Sequence, residues 1–150
     1  MHEHQTTARR RLMGAAACIV LALVLTSCFT GNQTKMVSQI NASRRAYGKP
    51  ALAADMAATR KAQSWAQHMA DTGRLEHSGG GSSLSTAGLP KWCAVGENVG
   101  MGSTTQVVQD AYMRSAPHKA NILGNYNRVG TGVVRKNGTV WSVQVFYRSC

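Results

Sequence analysis

Apolar residues recur at helical spacing in two stretches of the first half of the chain, and each stretch has residues able to begin or end a helix. The first stretch starts near Thr34 and stops at Gly48, two residues before Pro50. The second lies between Asp55, which can act as an N-cap, and Gly73. The apolar positions of these two predicted helices are Met36, Val37, Ile40 and Ala46, then Ala58, Ala62, Trp65, Ala66 and Met69. Both stripes are expected to face the core.

The second half of the chain changes from a helical pattern to a strand pattern. A third helix is capped by Thr104 or Thr105 and is interrupted by Pro117. Two β-forming segments follow, joined by Asn137-Gly138, a strong hairpin signal. Their apolar residues include Val129, Val133, Val134, Val140, Trp141, Val143, Val145 and Phe146. Because both strand faces are apolar, helices are expected to cover the sheet on both sides, which predicts an α+β sandwich.

A loop is predicted between the second and third helices. Residues 78–90 are rich in Gly, Ser and Thr, and a phosphate-binding loop is one interpretation of Gly79-Gly80-Gly81. No predicted strand precedes this run and no Gly-Lys-Ser/Thr follows it, so an ordinary loop is the favoured interpretation.

The N-terminal stretch has the features of an export signal. Three arginines at 9–11 precede an apolar run over residues 12–25, which has the length of a signal-peptide core and is short for a bilayer span. The run ends in Leu-Thr-Ser-Cys at Cys28, which resembles the lipobox at which bacterial lipoproteins are cleaved and lipidated. The alternatives are a buried helix of the domain or an uncleaved anchor.

This interpretation divides the chain into three parts. Residues 1–27 are a lipoprotein signal peptide, residues 28–33 are a spacer that begins at the lipidated Cys28, and residues 34–150 are the folded domain. Loss of the signal reduces the 17 basic and 6 acidic residues to 14 and 5, a net charge of +9. A basic surface would favour anionic lipid headgroups or wall polymers, although it could serve solubility alone. The local clusters are Arg44-Arg45, Arg60-Lys61 and Arg135-Lys136.

The cysteines leave one candidate disulfide. Cys18 lies in the signal and Cys28 carries the lipid, so Cys93 and Cys150 remain as the pair. Export would place them in an oxidising compartment where a disulfide persists. The alternative is two unrelated buried thiols.

Three residues of the folded part could carry chemistry together: His77, Glu97 and His118. All three are expected in loops or at the ends of elements, where functional groups are displayed. Two imidazoles and a carboxylate are a partial ligand set for Zn²⁺ or a similar divalent ion. Spacing alone favours unrelated surface or capping residues. Asn98 and Asn121 are expected to tie loop backbone together through their side-chain amides.

Five short motifs occur along the chain in an order that resembles bacterial CAP-domain (SCP-like) proteins, over residues 34–146. They are His77-Ser78, Gly96-Glu97-Asn98-Val99, Ser115-x-x-His118-x-x-Asn121-Ile122-Leu123, Val129-Gly130-x-Gly132-Val133 and Trp141-x-Val143-Gln144-Val145-Phe146. The superfamily includes cysteine-rich secretory proteins, venom allergens and plant pathogenesis-related proteins. The resemblance implies a three-layer α-β-α sandwich with a small antiparallel sheet between helices, and a cleft holding two histidines and typically two acidic residues.

Carried onto this chain, the resemblance assigns His77 and His118 as the cleft histidines and Glu97 as the acid of the Gly-Glu-Asn motif. Ser115, in Tyr112-x-x-Ser115, stands where many members have a second glutamate. Without that carboxylate, a divalent ion would bind more weakly and a two-carboxylate acid/base pair is unavailable. A metal such as Zn²⁺ on His77, His118 and Glu97 is therefore an optional ligand, and no cofactor is required.

These observations favour a non-catalytic, lipid-anchored envelope protein that binds a lipid, a wall component, a metal or a protein through the cleft. The alternative is a metal-assisted hydrolase or peptidase in which His77, Glu97 and His118 hold an ion and a water. Ser115 and His118 could suggest a nucleophile and its base, but helix-end capping is favoured because no third orienting group is identifiable. Nucleic-acid binding is disfavoured, since no reader motif is present. A monomer held at the membrane by its lipid is expected.

Overall fold

Four helices and one four-stranded sheet form residues 29–150, the part of the chain described by the structure, which is a computed structural model. The predicted signal peptide and Cys28 lie outside the described residues. The elements, in chain order, are α1 (Gly31–Ala46), β1 (Ala53–Ala54), α2 (Met56–Thr72), β2 (Trp92–Gly102), α3 (Thr105–Arg114), α4 (Ala116–Ile122), β3 (Arg128–Lys136) and β4 (Thr139–Ser149).

Helix α1 begins at Gly31, three residues before the predicted start at Thr34 and inside the stretch predicted to be a spacer. A capping box explains this early start. The Thr30 side chain accepts a hydrogen bond from the Gln33 amide, and the Gln33 side chain accepts one from the Thr30 amide. The Thr-x-x-Gln spacing is a readable helix signal, so this boundary could have been found in the sequence.

The other helices begin and end close to the predicted residues. Asp55 caps α2 through a 2.9 Å hydrogen bond from the Ala58 amide, and Gly73 ends it in the left-handed conformation. Thr104 caps α3. Helix α3 ends before Pro117, which sits in the first turn of a further helix, α4, where its missing N–H costs no helical hydrogen bond.

The sheet has the strand order β1-β3-β4-β2. The predicted hairpin of β3 and β4 is confirmed, with Asn137 and Gly138 both at positive φ. Strand β2 was not predicted; it pairs antiparallel with the other side of β4. Strand β1 is also additional, and it pairs parallel with β3. The sheet is therefore mostly antiparallel, and one of its long strands precedes α3 instead of following all the helices.

The sheet separates two cores, which confirms the predicted three-layer α-β-α arrangement. Helix α2 packs on one face of β3 and β4, whereas α1, α3 and α4 cover the other face. The core on the α2 side includes Ala58, Ala62, Ala66, Met69, Val99, Trp141, Val143, Val145 and Tyr147. The core on the opposite side includes Met36, Ile40, Val108, Tyr112, Ile122, Val129, Val133, Val140 and Phe146.

Helix α2 approaches β3 closely because glycines lie between them. A Cβ on Gly130 would overlap the backbone of Ala58, and one on Gly132 would overlap the backbone of Ala62. The small residues on both elements allow backbone-to-backbone packing, which gives the Val-Gly-x-Gly-Val motif a structural explanation.

The predicted disulfide between Cys93 and Cys150 is confirmed, with the two Cα atoms 5.1 Å apart. It joins the start of β2 to the residue after β4, beside a hydrogen bond from the Cys150 amide to the Lys91 carbonyl. Within residues 29–150, none of the helices combines the length and the apolar content that a membrane crossing requires.

Candidate functional site

Glu97 and His77 form a hydrogen-bonded pair at the edge of the sheet. Glu97 lies in the middle of β2 and is 3% exposed, so its predicted place in a loop or at the end of an element is wrong. Its Oε1 atom lies 2.9 Å from His77 Nδ1 and accepts a second hydrogen bond, also 2.9 Å, from the Ser78 amide. The carboxylate thereby fixes both the imidazole ring and the start of the following loop.

The second oxygen of Glu97 has no such partner. Oε2 is buried and accepts no hydrogen bond from the residues that the structure describes. Burial lowers the pKa of Lys61 on α2, and the attraction of that lysine to the charge of Glu97 opposes this shift in part. An unpartnered buried carboxylate oxygen is costly, and a hydrogen bond from a bound water or ligand would relieve that cost.

His118 approaches the same site from α4. Its Nδ1 atom lies 2.8 Å from Ser115 Oγ, and its ring packs at a tilt against Tyr112, with ring centroids 5.0 Å apart. Burial lowers the pKa of His118 below its ordinary value, and the nearby His77 lowers it further. His118 therefore favours the neutral form, in which one ring nitrogen is a free acceptor or metal ligand.

The three predicted residues meet in one cleft of about 300 Å³. It lies along β2, which is an edge strand of the sheet in the described part of the chain. The lining residues are His77, Ser82, Leu84, Val95, Gly96, Glu97, Pro117, His118 and Asn121. Ser115 instead lines a neighbouring cavity, also of about 300 Å³, that shares His118 with the cleft and is otherwise largely apolar.

Asn98 and Asn121 hold the two sides of the cleft together, in agreement with their predicted structural role. Asn98 Nδ2 donates to the His118 carbonyl at 3.1 Å, and Asn121 Nδ2 donates to the Glu97 carbonyl at 3.1 Å. A further 2.9 Å hydrogen bond joins Asn121 Nδ2 to Asn98 Oδ1. The position of α4 relative to β2 is therefore fixed by amide contacts to the main chain of the two cleft residues Glu97 and His118.

A buried chain of amides continues from Asn98 into the core. Asn98 Nδ2 donates to Gln144 Oε1, Gln144 Nε2 donates to Gln109 Oε1, and Gln109 Nε2 donates to Ser43 Oγ on α1. Gln109 and Ser43 were not predicted to belong to such a network. A signal existed at Gln144, which strand alternation places on the same buried face as Val140 and Phe146.

Hydrogen bonds already engage part of the predicted ligand set of His77, Glu97 and His118. Among residues 29–150, no three His, Cys, Asp or Glu side chains converge as a metal-binding group. Glu97 Oε1 contacts His77 Nδ1 and the Ser78 amide, so this oxygen orients a histidine, whereas Oε2 has no partner among the described residues. With Nδ1 held in both rings, the Nε2 atoms of His77 and His118 remain for an ion.

Comparison with known proteins places the chain in a family. The model of the CAP family, described as the cysteine-rich secretory protein family, matches residues 37–146. The fold is similar to an extracellular protein containing an SCP domain from Bacillus anthracis, with a TM-score of 0.69, 24% identity, and coverage of 79% of this chain and 41% of that chain. This chain thus spans about two fifths of the Bacillus protein.

Two further solved structures are matched over nearly their whole length. An outer surface protein from Borrelia burgdorferi has a TM-score of 0.63 and 14% identity, with 78% of this chain and 92% of that chain covered. The venom allergen-like protein 4 of Schistosoma mansoni has a TM-score of 0.64 and 10% identity, with 81% and 91% covered. No curated protein sequence matches this chain. The family match over most of the folded residues, together with the three-layer fold, shows that the chain belongs to the CAP, or cysteine-rich secretory protein, family.

Proposed function

We propose that this chain is a lipid-anchored binding protein of the bacterial cell envelope, without enzymatic activity, whose ligand occupies the cleft of His77, Glu97 and His118. The observation that carries the proposal is the buried Glu97 carboxylate, which holds His77 with one oxygen and leaves the other without a partner among the described residues. A polar ligand that donates a hydrogen bond would satisfy that oxygen.

The cavities beside His118 suit a ligand with a polar and an apolar part. The polar cleft and the neighbouring apolar cavity share His118. The apolar cavity is lined in part by Leu75 and Met101, whose side chains are about half exposed. Exposed apolar side chains next to a buried polar cluster favour an amphipathic ligand such as a lipid over a purely polar wall component.

A divalent ion can occupy the polar end of the cleft as an optional ligand. His77 and His118 would hold it through Nε2, Glu97 would keep the His77 ring oriented, and bound water would complete the shell. Such an ion would supply positive charge for an anionic group of the ligand.

The local chemistry of Ser115 argues against the alternative, a metal-assisted hydrolase or peptidase. Ser115 occupies the position of a second acid, so the cleft has one carboxylate and that carboxylate is committed to His77. The Ser115–His118 contact uses Nδ1 of the imidazole. Among the described residues, no acidic group orients the other ring nitrogen, as a nucleophile-activating base would require.

Calorimetric titration of the purified full-length chain with Zn²⁺ tests the cleft. The wild type is expected to bind one ion, and His77→Ala and His118→Ala are each expected to weaken binding at least tenfold. His68→Ala is the matched control, because His68 is exposed on α2 and lies outside the cleft. Zn²⁺-dependent cleavage of a peptide or ester that is lost in the same two variants would favour the hydrolase instead.

The envelope location is supported by two relatives, one described as extracellular and one as an outer surface protein. Phe29 and Thr30 separate Cys28 from α1, so a lipid on Cys28 would hold the domain within roughly 10 Å of the membrane. In a bacterial host, the wild type should incorporate a labelled fatty acid and fractionate with membranes. Cys28→Ser should lose the label. Equal labelling of both chains would contradict lipidation at Cys28.

A further inference from the structure

A separate cavity of about 530 Å³, which we call the basic pocket, lies between α2 and the loop over residues 78–90. Its charged lining residues are Arg60 and Lys61, and none of the aspartates or glutamates in residues 29–150 lines it. Three serines and the ring of Trp65 also contribute to its wall. The residues that matter to its chemistry are Arg60, Lys61, Ser64, Trp65, Ser78 and Ser85.

The two cations of the basic pocket have no counter-charge in contact. Lys136 forms an ion pair with Asp71 on a different part of the surface, and no other lysine or arginine in the described part of the chain forms one. Neither Arg60 nor Lys61 donates a side-chain hydrogen bond to residues 29–150. Partial burial lowers the pKa of Lys61, and the attraction of Glu97 compensates in part. Adjacent cations, one of them partly desolvated, favour the binding of an anion between them.

The uncharged polar groups of the pocket are hydrogen-bond donors. Ser78 Oγ accepts from the Ser85 amide at 3.0 Å, and Ser85 Oγ accepts from the Ala87 amide at 3.2 Å. Each hydroxyl proton has no acceptor among the described residues and can be donated into the pocket. The Trp65 indole N–H is already used by the Glu76 carbonyl at 2.8 Å, so Trp65 offers the pocket a ring surface.

We propose that the basic pocket binds a phosphate group, held by Arg60 and Lys61 with the hydroxyls of Ser78 and Ser85 as additional donors. Charge-assisted hydrogen bonds from guanidinium and ammonium groups suit phosphate oxygens, and the hydroxyls add neutral donors. The volume exceeds that of a phosphate ion, so we expect a phosphate ester whose remaining part packs against Trp65. The ester can be a lipid headgroup or a soluble molecule. This site does not depend on the ligand proposed for the His–Glu cleft.

The indole N–H signals of the full-length chain, purified in a neutral detergent and labelled with ¹⁵N, can report on binding. Inorganic phosphate and glycerol 3-phosphate are titrated in turn, and each replaces chloride in the buffer so that the ionic strength stays constant. The Trp65 signal should shift and saturate, whereas the signals of Trp92 and Trp141, which lie outside the pocket, should not. In parallel, phosphatidylglycerol or phosphatidylcholine is added to the micelles to distinguish a lipid source from a soluble one.

The double variant Arg60→Gln/Lys61→Gln should weaken the Trp65 response at least tenfold. Arg45→Gln/Lys49→Gln removes the same charge from the end of α1, outside the pocket, and should bind like the wild type. If the double variant is not folded by circular dichroism, the single variants Arg60→Gln and Lys61→Gln replace it, each with an expected loss of about threefold.

The outcomes separate a specific site from general surface charge. A Trp65 response to the soluble phosphates supports the site, as does a response to phosphatidylglycerol and not to phosphatidylcholine. In either case the response must be lost in Arg60→Gln/Lys61→Gln and kept in Arg45→Gln/Lys49→Gln. Equal losses in both double variants would show that net charge is responsible and would overturn the proposal. Absence of any Trp65 response to all four probes would overturn it as well.

Discussion

Arg44 and Arg45 are neighbours in the last turn of α1, yet their environments differ. Both were predicted to belong to a basic cluster on the surface. Arg45 is exposed, but Arg44 is 1% exposed and donates to the carbonyls of Pro50, Ile122 and Gly124. Its guanidinium connects α1 to the end of α4. Helical periodicity cannot reveal this role, because the three acceptors are backbone atoms that only the tertiary fold brings together.

Replacement of Arg44 by Met is therefore expected to lower the free energy of unfolding by about 2–4 kcal/mol, since three backbone acceptors lose their donor. Arg45→Met is the matched control, with an expected change within about 0.5 kcal/mol. Urea unfolding of both variants measures the difference. Similar losses in the two variants would contradict the structural role assigned to Arg44.

His118 should make the stability of the fold depend on pH. Burial and then the proximity of His77 lower the pKa of His118 from 6.5 in the folded protein, whereas the unfolded chain keeps the ordinary value. The unfolded state therefore binds the proton first as the pH falls. The contribution of His118 to stability is complete above about pH 6.5, and it is lost as the pH falls from there through the lowered pKa of the folded protein. Urea unfolding at several pH values should show a smaller loss in His118→Gln. A wild-type pH dependence in that variant would contradict this assignment.

At the scale of elements, periodicity predicted the helices and the β3–β4 hairpin but not β2. The centre of β2 is Gly96-Glu97-Asn98, three residues with little intrinsic preference for a strand. Pairing with β4 imposes the strand conformation, and this pairing spans the chain from residue 92 to residue 149. The cleft residues were identifiable by resemblance, but the placement of Glu97 on a strand was not. Local patterns carry no information about such a distant partner.

The packing of α2 on β3 gives a prediction at the same scale. In Gly132→Ala, the new Cβ would overlap the backbone of Ala62, which no side-chain rotation can relieve. We expect the free energy of unfolding to fall by about 3 kcal/mol or more, because α2 must move away from the sheet. Gly31→Ala is the control, since a Cβ there meets no atom within 4 Å and should be neutral or stabilise the protein by up to about 1 kcal/mol. Thermal unfolding distinguishes the two variants.

At the scale of the whole molecule, the disulfide closes a loop that contains most of the second half of the domain. Cys93 and Cys150 are 57 residues apart, and the chain-entropy model gives a stabilisation of about 4 kcal/mol for a loop of this size. Cys150→Ser should lower the free energy of unfolding by about that amount, as should a reductant added to the wild type. The double variant Cys93→Ser/Cys150→Ser should not respond to the reductant. A reductant effect that persists in the double variant would locate the sensitivity elsewhere.

The position of β4 has a consequence for biosynthesis. This strand pairs with β2 on one side and β3 on the other, and it follows both of them along the chain. A nascent polypeptide therefore lacks the strand that joins β2 to β3 until β4 has left the ribosome. The earlier segments of the domain therefore cannot close the native sheet between the two cores before β4 has been synthesised.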